Sequence, residues 1–323
     1  MPGVLLIGEV TQGRLAGSAL QLATLGAQLA EAMSEPLIGA LVGNDLAVAA
    51  DEFQCGLVSL YLVEGAQFAP YTADEYRHAV RTLIDTVQPS LVIAAHSAQS
   101  RDWMPRVAAG LGAGLVMDCT TLTLEDGQLV ATKPVNGGGV IAELLICSAL
   151  RMATVRAVMF PPRQVAGQPE RRSLEVTEKA NSAVTVIEEQ KLEAAAGPRL
   201  QDARIVVSGG RGVGGAQNWH YIEEMSAVLG AAIGCSRPVA DSGWVPSSHQ
   251  VGLSGTAVAP DLYIAVGISG APQHLAGISA AKVVVAVNNS VDADIFSRAD
   301  FGVVDDFREV LPAFVQRVKQ LQS

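Results

Sequence analysis

Four segments in the second half of the chain carry residues whose types and spacing could do chemistry. The first is 208–215, SGGRGVGG, which follows the apolar run ARIVV and precedes NWHYIEEMSAVLG. Gly210, Gly212 and Gly215 satisfy G-x-G-x-x-G. Between a strand and a helix, such glycines let backbone N–H groups approach phosphate oxygens, and a helix N-terminus adds a favourable dipole. The same glycines also suit a plain strand-to-helix turn, so the pattern by itself leaves both readings open. Arg211 within the loop adds a cation suited to a pyrophosphate. A nicotinamide-dependent dehydrogenase needs an acidic residue about 20 positions on to take the ribose. That region reads GAAIGCSRPVADSG, with Ser236 and Arg237 where the next strand should end.

The second segment is that Ser236–Arg237 pair, in which an arginine beside a proline-fixed turn can project over a ligand. The third, HQVGLSG at 249–255, offers the Ser254 hydroxyl as a donor, or else forms an ordinary serine turn. The fourth is LYIAVGISGAPQHLAG at 262–277, followed by VVVAVN at 283–288. Two buried strands there would deliver Gly267 to Gly270, Gln273, His274 and Asn288 to neighbouring strand ends, where α/β sheets bind ligands. No G-x-S-x-G elbow supports a serine hydrolase.

The elements that must position these residues alternate short apolar runs with helical patterns. In the first half the runs are 4–10, 37–43, 57–63 and 91–96, a pattern that predicts a parallel sheet. Residues 121–135 differ: two alternating runs flank Glu125-Asp126-Gly127 and predict an antiparallel hairpin. The polar, Ala-rich stretch 188–203, broken by Gly197-Pro198, reads as a linker. A second α/β pattern starts just after it. The expected architecture is therefore two α/β domains, 1–192 with the antiparallel excursion and 193–323 doubly wound. The 323 residues agree with two domains of about 150 each.

Composition excludes several function classes. Hydrophobic residues make up 49% and charged ones only 17%, which favours a filled core over disorder. A net charge of −10 and the lack of a basic patch argue against nucleic-acid binding. Cys55, Cys119, Cys147 and Cys235 are scattered with no CxxC, so no zinc ribbon or iron–sulfur domain is encoded. No stretch reaches about 18 uninterrupted apolar residues, and the N-terminus lacks a signal-peptide pattern, so a cytoplasmic protein is expected.

Residues 262–288 resemble the signature of the electron transfer flavoprotein α subunit, with LYIA, GISG, Gln273-His274, Gly277 and AVN at matching spacings. The resemblance continues upstream through SGGRG, CSRPVADSGWVP and QVGLSG, and downstream through DADIFSRADFGVVDD. It is weaker in the first half, at 106–120 and 152–156, where it implies a nucleotide-hydrolase-like scaffold. It implies one extended FAD in the second domain. Arg211, Ser236 and Arg237, the segment Gln250, Val251, Gly252, Leu253 and Ser254, the stretch Gly267, Ser269, Gly270, Ala271, Pro272, Gln273 and His274, and finally Asn288, Asp306 and Phe307 match its cofactor contacts. By that likeness Arg237 and His274 stabilise negative charge on the reduced flavin, and Ser254 donates to flavin N5.

This chain departs from the family pattern in four places. Pro272 stands where Ile or Val is usual, Ser254 for Thr, Leu253 for Gln and Thr256 for Lys. The lost lysine removes one positive charge near the implied cofactor region. The resemblance further implies a β subunit, carrying AMP or a second FAD, that packs against the first domain. It also implies an FAD domain that swings on the linker. The implied role is a shuttle from flavin dehydrogenases, such as acyl-CoA dehydrogenases of fatty acid oxidation, to a membrane quinone oxidoreductase. The wording HQVGLSG keeps a second role open, half of an NADH-linked bifurcating enzyme, and with it an approach of His249 to the flavin.

Overall fold

The computed structural model describes residues 2–136, 140–176, 180, 182, 184–188, 198, 200 and 203–322. The chain divides into two compact units: Met1–Pro134 with Ile141–Lys191, and Val135–Val140 with Leu192–Ser323. Most of the linker expected at 188–203 lies outside the described residues.

In the first unit the chain order is β1 (Val4–Gly8), β2 (Val10–Thr11), β3 (Arg14–Leu15), α1 (Gly17–Met33), β4 (Leu37–Gly43), α2 (Ala47–Glu52), β5 (Ser59–Glu64), α3 (Ala73–Val87), β6 (Leu91–Ala95) and α4 (Ala98–Leu111). Then come β7 (Gly114–Cys119), β8 (Thr121–Glu125), β9 (Gln128–Val135), β10 (Val140–Ile146), β11 (Arg151–Val155) and β12 (Glu170–Ser173). Seven strands form one sheet in the order β12-β5-β4-β1-β6-β11-β7. Every neighbouring pair in it is parallel. Such a sheet must be covered on both faces, which is why β1 and β6 are buried along their whole length instead of alternating. Leu6, Leu41 and Ile93 pack with Leu22 and Leu29 of α1. Leu5, Ile7 and Val92 point the other way, to Val80 and Leu83 of α3 and Trp103 of α4.

The antiparallel excursion is β8-β9-β10. Its turn is Asp126-Gly127, closed by the Glu125–Gln128 pair. Both turn residues have positive φ, 49° and 77°, which a type I′ turn requires. At the carboxyl ends of β6, β7 and β11, the Arg156 guanidinium donates to both Asp118 carboxylate oxygens, at 2.7 and 3.0 Å. Burial opposes the charge on Asp118, yet Arg156 outweighs it and holds the carboxyl below its ordinary range.

The second unit runs β13 (Ile205–Gly209), α5 (His220–Leu229), β14 (Ala232–Cys235), α6 (Arg237–Asp241), β15 (Leu262–Val266), α7 (Pro272–Gly277), β16 (Val283–Asn288), β17 (Phe301–Val304) and α8 (Phe307–Gln322). Its sheet has the order β14-β13-β15-β16-β17, parallel throughout. A single parallel bridge from Cys235 to Gln250 adds a rudimentary strand outside β14. The winding therefore reverses between β13 and β15, the place where doubly wound sheets open a crevice. One face packs Val206, Tyr263 and Val284 against Ile278 and Ile295. The other packs Val207, Ile264 and Val287 against Ile222 of α5 and Leu311 of α8. The outermost strand, β17, is exposed at every position, with Phe301 65% and Val304 52% accessible. Both units are α/β, and the second is doubly wound, as the sequence led us to expect. Among the described residues, no helix is long and apolar enough to cross a membrane.

Candidate cofactor site

Parallel strands place all their carboxyl ends on one edge, so each predicted site residue arrives there by its position in the sequence. Arg211 follows β13, Ser236 and Arg237 follow β14, and residues 267–274 follow β15. Asn288 ends β16, while Asp306 and Phe307 follow β17. The 250–254 segment joins this edge through two backbone hydrogen bonds, Val251 N to Cys235 O at 2.9 Å and Leu253 N to Gln273 O at 2.8 Å.

The glycine loop does a different job from the one its pattern suggests. Gly210 N donates to Val266 O at 2.8 Å, and Gly212 N to Gly267 O at 2.9 Å. These two amides are engaged by the β15 loop, so they are not free for a phosphate. The approach is so close that a Cβ on Gly210 would stand 2.2 Å from Gly267 O. Gly267 itself has φ +61° and lies equally tight on Gly212 and Val213. The helix also begins later than expected. Ala216–Asn218 forms a 3₁₀ turn, and α5 starts only at His220, so the loop does not open directly onto its N-terminus. Arg211 is exposed and makes no side-chain hydrogen bond or ion pair among the described residues.

The side chains fall into free and engaged groups. Gln250 Nε2 donates to Ser254 Oγ at 2.9 Å, which fills an acceptor site on that hydroxyl and leaves its hydrogen to donate. Arg237 is 68% exposed and held only by a long 3.3 Å contact to Asp241. Ser236 is buried at the start of α6, with no capping bond from its hydroxyl. Ser269, Ala271 and Gln273 are exposed, whereas Gly270 is buried against the backbone of Ile295. Pro272 is the first residue of α7, where a missing N–H costs nothing and the fixed φ suits the helix. The fold therefore accommodates a proline at this position. His274 is buried, and this pushes its imidazole down to about 4, so it is a neutral ring at physiological pH. Its Nε2 lies 2.9 Å from the Tyr263 hydroxyl, while Nδ1 is buried and closes no hydrogen bond of full geometry among the described residues.

Residues 199–279 match the profile described as the electron transfer flavoprotein FAD-binding domain, and residues 4–184 match the electron transfer flavoprotein domain. The electron transfer flavoprotein subunit alpha of Bacillus subtilis (strain 168) is 34% identical over 98% of both chains. This chain belongs to the electron transfer flavoprotein family, as an alpha subunit. The corresponding alpha subunit of Thermoanaerobacterium thermosaccharolyticum is 35% identical, again over 98% of both chains. Protein FixB of Bradyrhizobium diazoefficiens is 33% identical over 94% of this chain and 85% of that relative. The second unit is thus the FAD-binding domain of an electron-transfer protein.

In this alpha subunit the far end of the edge holds a cleft of about 190 Å³, lined among others by Gly214, Asn218, Asn289, Asp306 and Arg308. Asp306 accepts from the Arg308 backbone and guanidinium, which pushes its carboxyl down to about 2. The Phe307 ring stands edge-on to Tyr221, with centroids 5.5 Å apart. The Asn288 amide is engaged within the protein. It donates to Ile268 O at 2.9 Å and accepts from Ser290 N at 3.0 Å, tying the end of β16 to the β15 loop. His249 Nδ1 sits 2.9 Å from Ile233 O and anchors its turn to β14. Sequence reasoning missed Asn218, Asn289, Arg308 and Tyr263. Only Tyr263 left a signal, a polar ring inside an otherwise apolar strand.

Proposed function

We propose that this chain is the FAD-carrying subunit of a heterodimeric electron transfer flavoprotein, a shuttle and not a substrate-transforming enzyme. The observation that carries the reading is the strand edge of the second unit. It brings donors and cations together beside a buried imidazole nitrogen that closes no hydrogen bond of full geometry among the described residues. An extended dinucleotide lying along that edge fits them. FAD, when bound, supplies one- and two-electron redox chemistry. Ser254 offers a hydroxyl donor and Arg237 a mobile positive charge to the flavin end. Residues 250–253 and 267–273 supply the walls between the two ends. Arg211 is placed for the phosphates, and Asp306, Phe307 and Asn288 border the adenosine end. His274 contributes a neutral hydrogen-bond donor, which stabilises developing negative charge without adding a full charge of its own.

On this reading the partner is a β subunit carrying AMP, in the cytoplasm. The electrons come from flavin dehydrogenases, including those acting on acyl-CoA, and leave to a membrane quinone oxidoreductase. The domain boundary near residue 192 is part of the same proposal. The test is flavin stoichiometry and the visible spectrum of this chain co-purified with its β subunit. One FAD per heterodimer, unbleached by NADH, is the expected result. Two FAD with rapid bleaching by NADH would transfer the chain to the bifurcating class. A heterodimer without flavin would overturn the assignment.

A further inference from the structure

Tyr263 is the second residue of β15, and its ring is fully buried in the sheet core. A phenol there is worse than a phenylalanine unless its hydroxyl is satisfied. Its hydroxyl lies 2.9 Å from His274 Nε2, with the ring planes tilted by 58°. The Ser208 hydroxyl, on the neighbouring strand β13, lies beside the phenol and favours negative charge on its oxygen, so it turns its hydrogen to that oxygen without closing a bond of full geometry.

This geometry decides the direction of the bond. A phenol carries one hydrogen, and a neutral imidazole carries one. If Nε2 held the ring proton, it would donate to the phenol oxygen, and either the phenolic or the Ser208 hydrogen would be left without an acceptor in the core. If the phenol donates to Nε2, the hydroxyl is satisfied and the ring proton must sit on Nδ1. The Val251 backbone beside the ring favours a proton on it, yet Nδ1 closes no hydrogen bond of full geometry among the described residues. The chain therefore keeps one buried N–H donor unmatched, next to the 250–254 segment.

We propose that Tyr263 is a positioning residue that locks His274 in its Nδ1–H tautomer, so that this donor is always directed to an acceptor atom of the flavin. The proposal rests on the flavin placement argued above. Its physical sense lies in the alternative. An unlocked neutral ring would present a lone pair part of the time, and a lone pair repels the ring edge that becomes negative on reduction.

The test is nitrogen-15 NMR of the full chain labelled at histidine, without and with FAD. We expect Nδ1 protonated and Nε2 unprotonated at His274, with the Nδ1 signal moving when FAD is added. In Tyr263→Phe, the Nε2–H form should appear and FAD affinity should fall about tenfold, the equivalent of one hydrogen bond. Nε2 protonated in the wild-type chain would overturn the proposal, and that reading needs no variant to fold. An unchanged tautomer in a folded Tyr263→Phe would overturn it too. A correct tautomer whose signals ignore FAD would instead remove the flavin from His274 and overturn the placement beneath the proposal.

Discussion

Glu9 follows β1 and accepts a hydrogen bond from Ser97, the residue that caps α4. Burial raises its carboxyl above the ordinary value, and the Ser97 bond offsets only part of that. A carboxylic acid whose folded pKa is raised makes stability highest below its unfolded pKa, about 4.3, and lowers it as pH rises toward the folded value. Glu9→Gln keeps the shape and a hydrogen-bonding group but cannot ionise. Its melting temperature should exceed that of wild type at pH 7 and match it near pH 4. Thermal melts at both pH values check this, and equal differences at the two would exclude an ionisation effect. At this scale the sequence made legible which residues reach the strand edge, as with Arg211, because the parallel order fixes that. It did not show which of them are engaged within the fold, as Asn288 is. An asparagine at a strand end looks the same whether it meets a ligand or the Ile268 carbonyl.

The interlocked turns after β13 and β15 show the same limit one level up. Gly210, Gly212 and Gly215 match a phosphate cradle in spacing, yet the first two meet Gly267 backbone to backbone. A phosphate and a neighbouring peptide demand the same thing of a loop, the absence of Cβ, and the partner here lies more than 50 residues away. No local pattern distinguishes them. The strands were legible because burial on both faces writes a continuous apolar run, and the Asp126-Gly127 hairpin because positive φ at two successive residues selects that dipeptide. Gly267→Ala should cost about 2–5 kcal/mol, since φ strain adds to a backbone clash. Gly243→Ala, also at positive φ but with open space around it, should cost about 1–2 kcal/mol. Urea denaturation of the two variants checks the contrast, and equal losses would mean that the turns yield to each other.

Across the whole molecule, each unit has its own sheet with a separate core on either face. A ligand confined to one unit should stabilise that unit by mass action and leave openings within the other unchanged. Hydrogen exchange with FAD at about a hundred times its dissociation constant should slow the protected amides of β13, β15 and β16 by about a hundredfold. Amides of β1, β4 and β6 should keep their rates. Uniform slowing of both sets would show that the chain unfolds as a single cooperative body. The exposed strand β17 bears on the behaviour of many copies at once. Its outer main-chain groups and the apolar run Phe301, Val303 and Val304 form a template on which a second copy's edge could add. Asp300 precedes this strand, and Asp305 and Asp306 follow it. An edge-to-edge pair of copies, in either direction, would bring these carboxylates together within a few residues. Asp300 and Asp306 are paired with Arg298 and Arg308, so charges of both signs flank the edge, and the cost of stripping water from them opposes the addition of a second copy.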